Sequence, residues 1–166
     1  MNLYQHKVHY YETDRMGITH HSNYVRWMEE ARIDFLEQIG WKYEKLEEMG
    51  IISPVTDIEC KYRATTTFAD LISIRVSVEE FKGVKLKLKY EMKNQNDILV
   101  CEGHSEHCFI DKAGKILRLR KEYPEFSDTL KELSKNSGLQ GECSGTVRKC
   151  TSLEEKEMHD RNRGNV

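Results

Sequence analysis

Residues 11–28 read YETDRMGITHHSNYVRWM, and the character of the chain changes in the middle of them. Up to His21 the segment is polar. From Tyr24 onward the apolar residues Tyr24, Trp27, Met28, Ala31, Phe35 and Ile39 recur at helical spacing, with Arg26, Glu29, Glu30, Arg32 and Glu37 on the other side. Ser22 or Asn23 alone would cap such a helix. The loop before it nevertheless carries Asp14, Gly17, His20 and His21, more chemistry than a connection needs.

Residues 3–11 (LYQHKVHYY) read as a first strand entering this loop, and Gly40 stands where the helix should end. YEKLEEMG (43–50) adds a short helical turn closed by Gly50. The period then changes. Residues 51–62 are apolar and β-rich, and Ile72, Ile74, Val76 and Val78 alternate with polar residues. So do Val84, Leu86, Leu88, Tyr90 and Met92, and 98–110 makes a long last strand. KEYPEFSDTLKELSK (121–135) is expected to form a peripheral helix. One strand, one long helix and four further strands predict an α+β fold, with a five-stranded antiparallel sheet wrapped around one long central helix. Small residues at Cys101, Gly103 and Ser105 on one face of the last strand would let the helix approach.

The chain has 166 residues, which suits a single domain over 1–135 followed by a polar tail, 136–166, too poor in large apolar residues to pack firmly. A net charge of −2 argues against a nucleic-acid binder. No apolar run approaches the roughly 18 residues of a membrane span. The start, MNLYQHKVHYY, has no apolar leader core, so a cytoplasmic location is expected. The five cysteines (60, 101, 108, 143, 150) are odd in number and lack CxxC spacing, which speaks against disulfides and a zinc ribbon. His104 and His107, three apart on a strand, point to opposite faces and make poor joint ligands.

The segment YETDRMGITHHSNYVRWMEEAR resembles the active-site segment of the 4-hydroxybenzoyl-CoA thioesterase family, including its YbgC-like, Tol–Pal-associated, short-chain acyl-CoA branch. KYRATTTFADLISIRVSV (61–78) is similar to the family's second signature of Tyr, a turn, Asp and a strand. The resemblance covers most of residues 3–125 and implies the hotdog fold. It implies hydrolysis of acyl-CoA, or of acyl carrier protein thioesters, with no cofactor and no metal. The family's catalytic Asp maps onto Asp14 and its helix-start residue onto His21, whose backbone N–H would serve as an oxyanion donor. Gly17, Asn23, Tyr24, Tyr62 and Thr65 fall on supporting, substrate-side positions. Hotdog relatives form homodimers or homotetramers, with Asp14 of one subunit beside residues 62–70 of another. Two departures bear on substrate choice. The chain reads Tyr62-Arg63-Ala64-Thr65 where the family often has Pro, and Met16 stands where a small residue is frequent.

The chemistry suits the loop without the resemblance. Thioester hydrolysis needs a nucleophile or a base for water, plus donors to the oxyanion. A carboxylate at Asp14 can fill either role, Gly17 lets backbone approach a ligand, and a helix start offers free N–H groups. Arg118 and Arg120, in a basic cluster with Lys112, Lys115 and Lys121, are candidates for the CoA phosphates. An ordinary Asx-turn is the alternative for Asp14. A non-catalytic acyl-CoA binding module and a hotdog hydratase or dehydratase are the alternatives for the whole protein.

Overall fold

A computed structural model of the chain describes residues 1–138. The tail expected from 136 lies outside the described residues, save that the last helix runs on to Gly138.

The strands are β1 (Tyr4–Lys7), β2 (Val55–Tyr62), β3 (Leu71–Phe81), β4 (Lys85–Lys93) and β5 (Leu99–Cys108). They pair antiparallel throughout, in the order β1-β3-β4-β5-β2, as one five-stranded sheet. Helix α1 (Ser22–Gln38) follows β1, and α2 (Tyr43–Glu48) precedes β2. Alternation fixes the inner face. Ile72, Ile74, Val78, Leu86, Leu88, Tyr90 and Met92 are buried, while Arg75, Glu79, Lys89 and Glu91 face out. The α1 stripe of Tyr24, Trp27, Met28, Ala31 and Phe35 joins them in one core. At the end of α1, Gly40 N–H donates to Glu37 C=O and Trp41 N–H to Leu36 C=O, the Schellman arrangement.

Gly103 shows how closely helix and sheet approach. A Cβ there would stand 2.9 Å from Met28 Sδ and 3.3 Å from the Glu59 carbonyl, so only glycine fits without a shift. His104 turns outward to Glu79 (2.9 Å), whereas His107 is buried beside Ser105 (2.7 Å). Burial and the nearby Arg32 push the His107 imidazole down to about 4.

Three details differ from the sequence expectation. β1 ends at Lys7 instead of residue 11, because the chain turns into a short 3-10 helix, Tyr10–Glu12. Arg32, expected on the wet face, is buried with its guanidinium 5.7 Å from the Tyr43 ring. Position 32 lies four residues after Met28, inside the apolar arc. Glu30 keeps its place on the wet face, with 48% of its side chain exposed, and accepts a hydrogen bond from Tyr4 Oη at 2.9 Å.

The third difference concerns the helix after β5, which is not peripheral. The chain makes a turn, α3 (Leu119–Glu122), then α4 (Pro124–Gly138). Tyr123 leaves the helical region ahead of Pro124, as residues before proline do, and Pro124 opens α4 where its missing N–H goes unneeded. Phe126 and Leu130 are fully buried, with Phe126 4.7 Å from Trp41 and 5.8 Å from Phe109 between ring centroids. No helix among the described residues is long and apolar enough to cross a membrane.

Candidate active site

The loop between the 3-10 helix and α1 is a closed turn. Thr13 and Thr19 bridge its base, and Asp14 N–H donates to Ile18 C=O at 2.9 Å. Gly17 N–H returns to Asp14 C=O at 3.0 Å, which needs the left-handed backbone (φ +73) that Gly17 supplies. The Asp14 side chain takes part, since its Oδ1 accepts the Met16 N–H at 2.7 Å. This is an Asx-turn, and it occupies one carboxylate oxygen. The other has no hydrogen-bond partner among the described residues.

A second layer holds the turn from behind. Thr19 N–H donates to Thr66 C=O at 2.8 Å, and the Thr66 hydroxyl lies 2.7 Å from Thr19 Oγ1 and 2.9 Å from Tyr24 Oη. Thr67 Oγ1 donates to Gly17 C=O at 2.8 Å. Burial raises the Tyr24 phenol above its ordinary pKa, so it stays a neutral partner of Thr66. Thr66 and Thr67 are thus bound to the loop of their own chain, at Thr19 and Gly17.

The floor of the site was missed in the sequence. Glu12 is 4% exposed, yet its carboxylate accepts from three donors: Trp27 Nε1–H (2.8 Å), His9 N–H (2.7 Å) and His6 Nε2 (3.0 Å). Burial alone would raise its pKa, but hydrogen bonds from His6, the His9 amide and Trp27 outweigh that and hold it below the ordinary value. Its carbonyl accepts from the His20 N–H and from Asn23 Nδ2, each at 2.8 Å. The only signal in the sequence was the three-residue spacing of His6, His9 and Glu12, which no familiar motif carries.

The other expected residues separate into groups. His21 immediately precedes α1 with helical angles, its ring exposed and tilted 34° against that of His20, with centroids 4.2 Å apart. Among the described residues its N–H has no backbone acceptor. Tyr62 Oη donates to the His21 carbonyl at 3.1 Å, tying the end of β2 to the helix start. Burial pushes the Tyr62 phenol up to about 12, which keeps it a donor. Asn23 and Tyr24 are buried behind the loop, and Thr65 is exposed beside it in sequence to Thr66. Arg118 and Arg120 are exposed on the α3 segment, and no contact links either to residues 12–24 among the described residues.

The five-stranded antiparallel sheet with α1 packed on it is the fold of the hotdog thioesterases on which the chain superimposes. Residues 8–133 match the model of the thioesterase-like superfamily, and the chain belongs to that family. A Bacillus subtilis protein provisionally named acyl-CoA thioesterase YneP is 31% identical over 130 residues, 78% of this chain and 94% of that one. The crystal structure of a DHNA-CoA thioesterase from Staphylococcus aureus superimposes with a TM-score of 0.79 at 28% identity, covering 84% of this chain and 94% of that one. A gentisyl-coenzyme A thioesterase, BH1999, does so with a TM-score of 0.68 at 26% identity, covering 74% and 98%.

Proposed function

We propose that this protein hydrolyses acyl-CoA thioesters to free acid and CoA. The observation that carries the reading is the Asp14 carboxylate, fixed by one oxygen and open at the other, in the loop that leads into α1. Asp14 either attacks the thioester carbonyl, giving an acyl-aspartate anhydride and CoA thiolate, or takes a proton from the attacking water. The negative charge that grows on the carbonyl oxygen is met by N–H groups at the helix start, His21 first, whose positive dipole end favours an anion. His21 carries an exposed imidazole suited to orienting substrate or relaying a proton. Release of free thiol from acyl-CoAs of graded length is the direct test. The same chemistry would serve acyl carrier protein thioesters, and assays with both carriers separate the two.

Arg118 and Arg120 are assigned to the CoA phosphates, with Lys112 and Lys115, all exposed, on the same segment. Replacing both arginines with Gln should raise KM for acyl-CoA about tenfold or more while leaving a short pantetheine thioester, which lacks the nucleotide phosphates, nearly unchanged. An equal effect on both substrates would remove the assignment.

The protein acts as a homodimer or homotetramer in this reading. Among the described residues β2 pairs only with β5, which leaves its outer edge open over Val55–Tyr62, with Val55, Ile58 and Tyr62 at 51%, 41% and 49% exposure. A long open edge invites strand pairing with a second copy. Sedimentation at micromolar concentration should show no monomer. A fully active monomer would contradict the assembly.

A further inference from the structure

We propose that His6, His9 and Glu12 form a site for one divalent transition-metal ion of the zinc type, apart from the residues assigned to thioester hydrolysis. The turn that ends β1 gathers the three side chains. Glu12 Oε2 lies 3.0 Å from His6 Nε2 and 3.4 Å from His9 Nδ1, and all three atoms lie within 4.8 Å of one another. Ligand atoms around a tetrahedral ion with bonds of about 2.0–2.2 Å stand roughly 3.3–3.5 Å apart. Two edges of the triangle already approach that spacing. His9, with 53% of its side chain exposed, can turn to complete the third and leaves an outward position for water.

The surroundings are those of a ligand set. Metal-bound imidazoles commonly donate their second N–H to a carboxylate, and ligating carboxylates are themselves hydrogen-bonded. His6 turns its other nitrogen, Nδ1, to Glu30 Oε2 at 3.4 Å, while the second oxygen of Glu12 is held by Trp27. With the Nε2 proton replaced by the ion, the His6 Nδ1–H would face the Glu30 carboxylate. His6 and Glu12 are almost fully buried, so both are pre-organised. Two imidazoles and one carboxylate favour zinc, nickel or copper over magnesium and calcium, which take oxygen ligands. Binding would replace the Nε2–H that His6 donates to Glu12. Glu12 lies two residues before Asp14, and the ion would clamp β1 to the turn that supports the catalytic loop.

The test uses the full chain, stripped with a chelator and dialysed against micromolar Zn2+. One equivalent should be retained, and Co2+ in its place should give ligand-field bands without a thiolate charge-transfer band. Changing the tail thiols, Cys143→Ser with Cys150→Ser, should leave the stoichiometry at one. His9→Ala should weaken binding at least tenfold with an unchanged circular-dichroism spectrum. His6→Ala should do the same, and if it fails to fold, His9→Ala decides alone because that side chain is half exposed. Absence of retained zinc in the unaltered chain, or undiminished retention by His9→Ala, would overturn the site.

Discussion

Asp14→Asn is expected to lower acyl-CoA turnover by about 100- to 10,000-fold and to leave the fold intact. The amide keeps the oxygen that accepts the Met16 N–H at 2.7 Å, so the Asx-turn survives. What disappears is the charge needed to attack a carbonyl or to take a proton from water. The substitution therefore separates the two roles of Asp14. If the residue only shapes the turn, Asn substitutes well and activity persists. More than about a tenth of the activity in a folded variant would remove Asp14 from the chemistry. Circular dichroism and the thermal midpoint, measured together with turnover, keep that conclusion clear of misfolding.

The largest expected effect on stability is at Glu12. Glu12→Gln should cost about 3 kcal/mol, because a buried acceptor of charge-assisted hydrogen bonds is replaced by a group that is half donor. Either way the amide is placed, its NH2 confronts an N–H, that of Trp27 on one oxygen position or of His9 on the other. For a chain of this size the loss corresponds to a Tm lowered by roughly 6–12 °C. The pH dependence has a definite sign. The folded-state pKa of Glu12 lies below its ordinary 4.5, so its contribution is complete above that value and is lost as pH falls through the lowered one. The difference in Tm between the two proteins should thus be constant near neutrality and shrink in acid. A variant as stable as the original at pH 7 would contradict the keystone role.

What could be read in the sequence follows from how local its cause is. The stripe of α1 and the alternation of β3 and β4 are periodic patterns, and the structure keeps them. Gly103 was legible too, as one of three small residues in a row of alternate positions. The early end of β1 was not, because its cause is the Glu12 carboxylate drawing back the His9 N–H. α4 looked peripheral although Phe126 and Leu130 have helical spacing, since their partners Trp41 and Phe109 come from distant parts of the chain. The same holds at the site. Asp14, Gly17 and His21 stand in one short polar loop and invite a chemical reading. Glu12, Thr19 and Thr66 acquire meaning only once β1, α1 and the segment before β3 converge. Arg118 and Arg120 remain apart from the loop in this chain, so their role rests on how far a bound CoA reaches.

The most direct test of the account is a free-thiol assay on the purified chain with acyl-CoAs of short, medium, long and aromatic acyl groups. The expected result is catalytic release of CoA with one acid formed per thiol, from at least one of these classes, over many turnovers. Such turnover separates an enzyme from a module that only holds acyl-CoA. Saturable binding of an acyl-CoA without thiol release, from a protein with the folded spectrum and an intact Asp14, would contradict it.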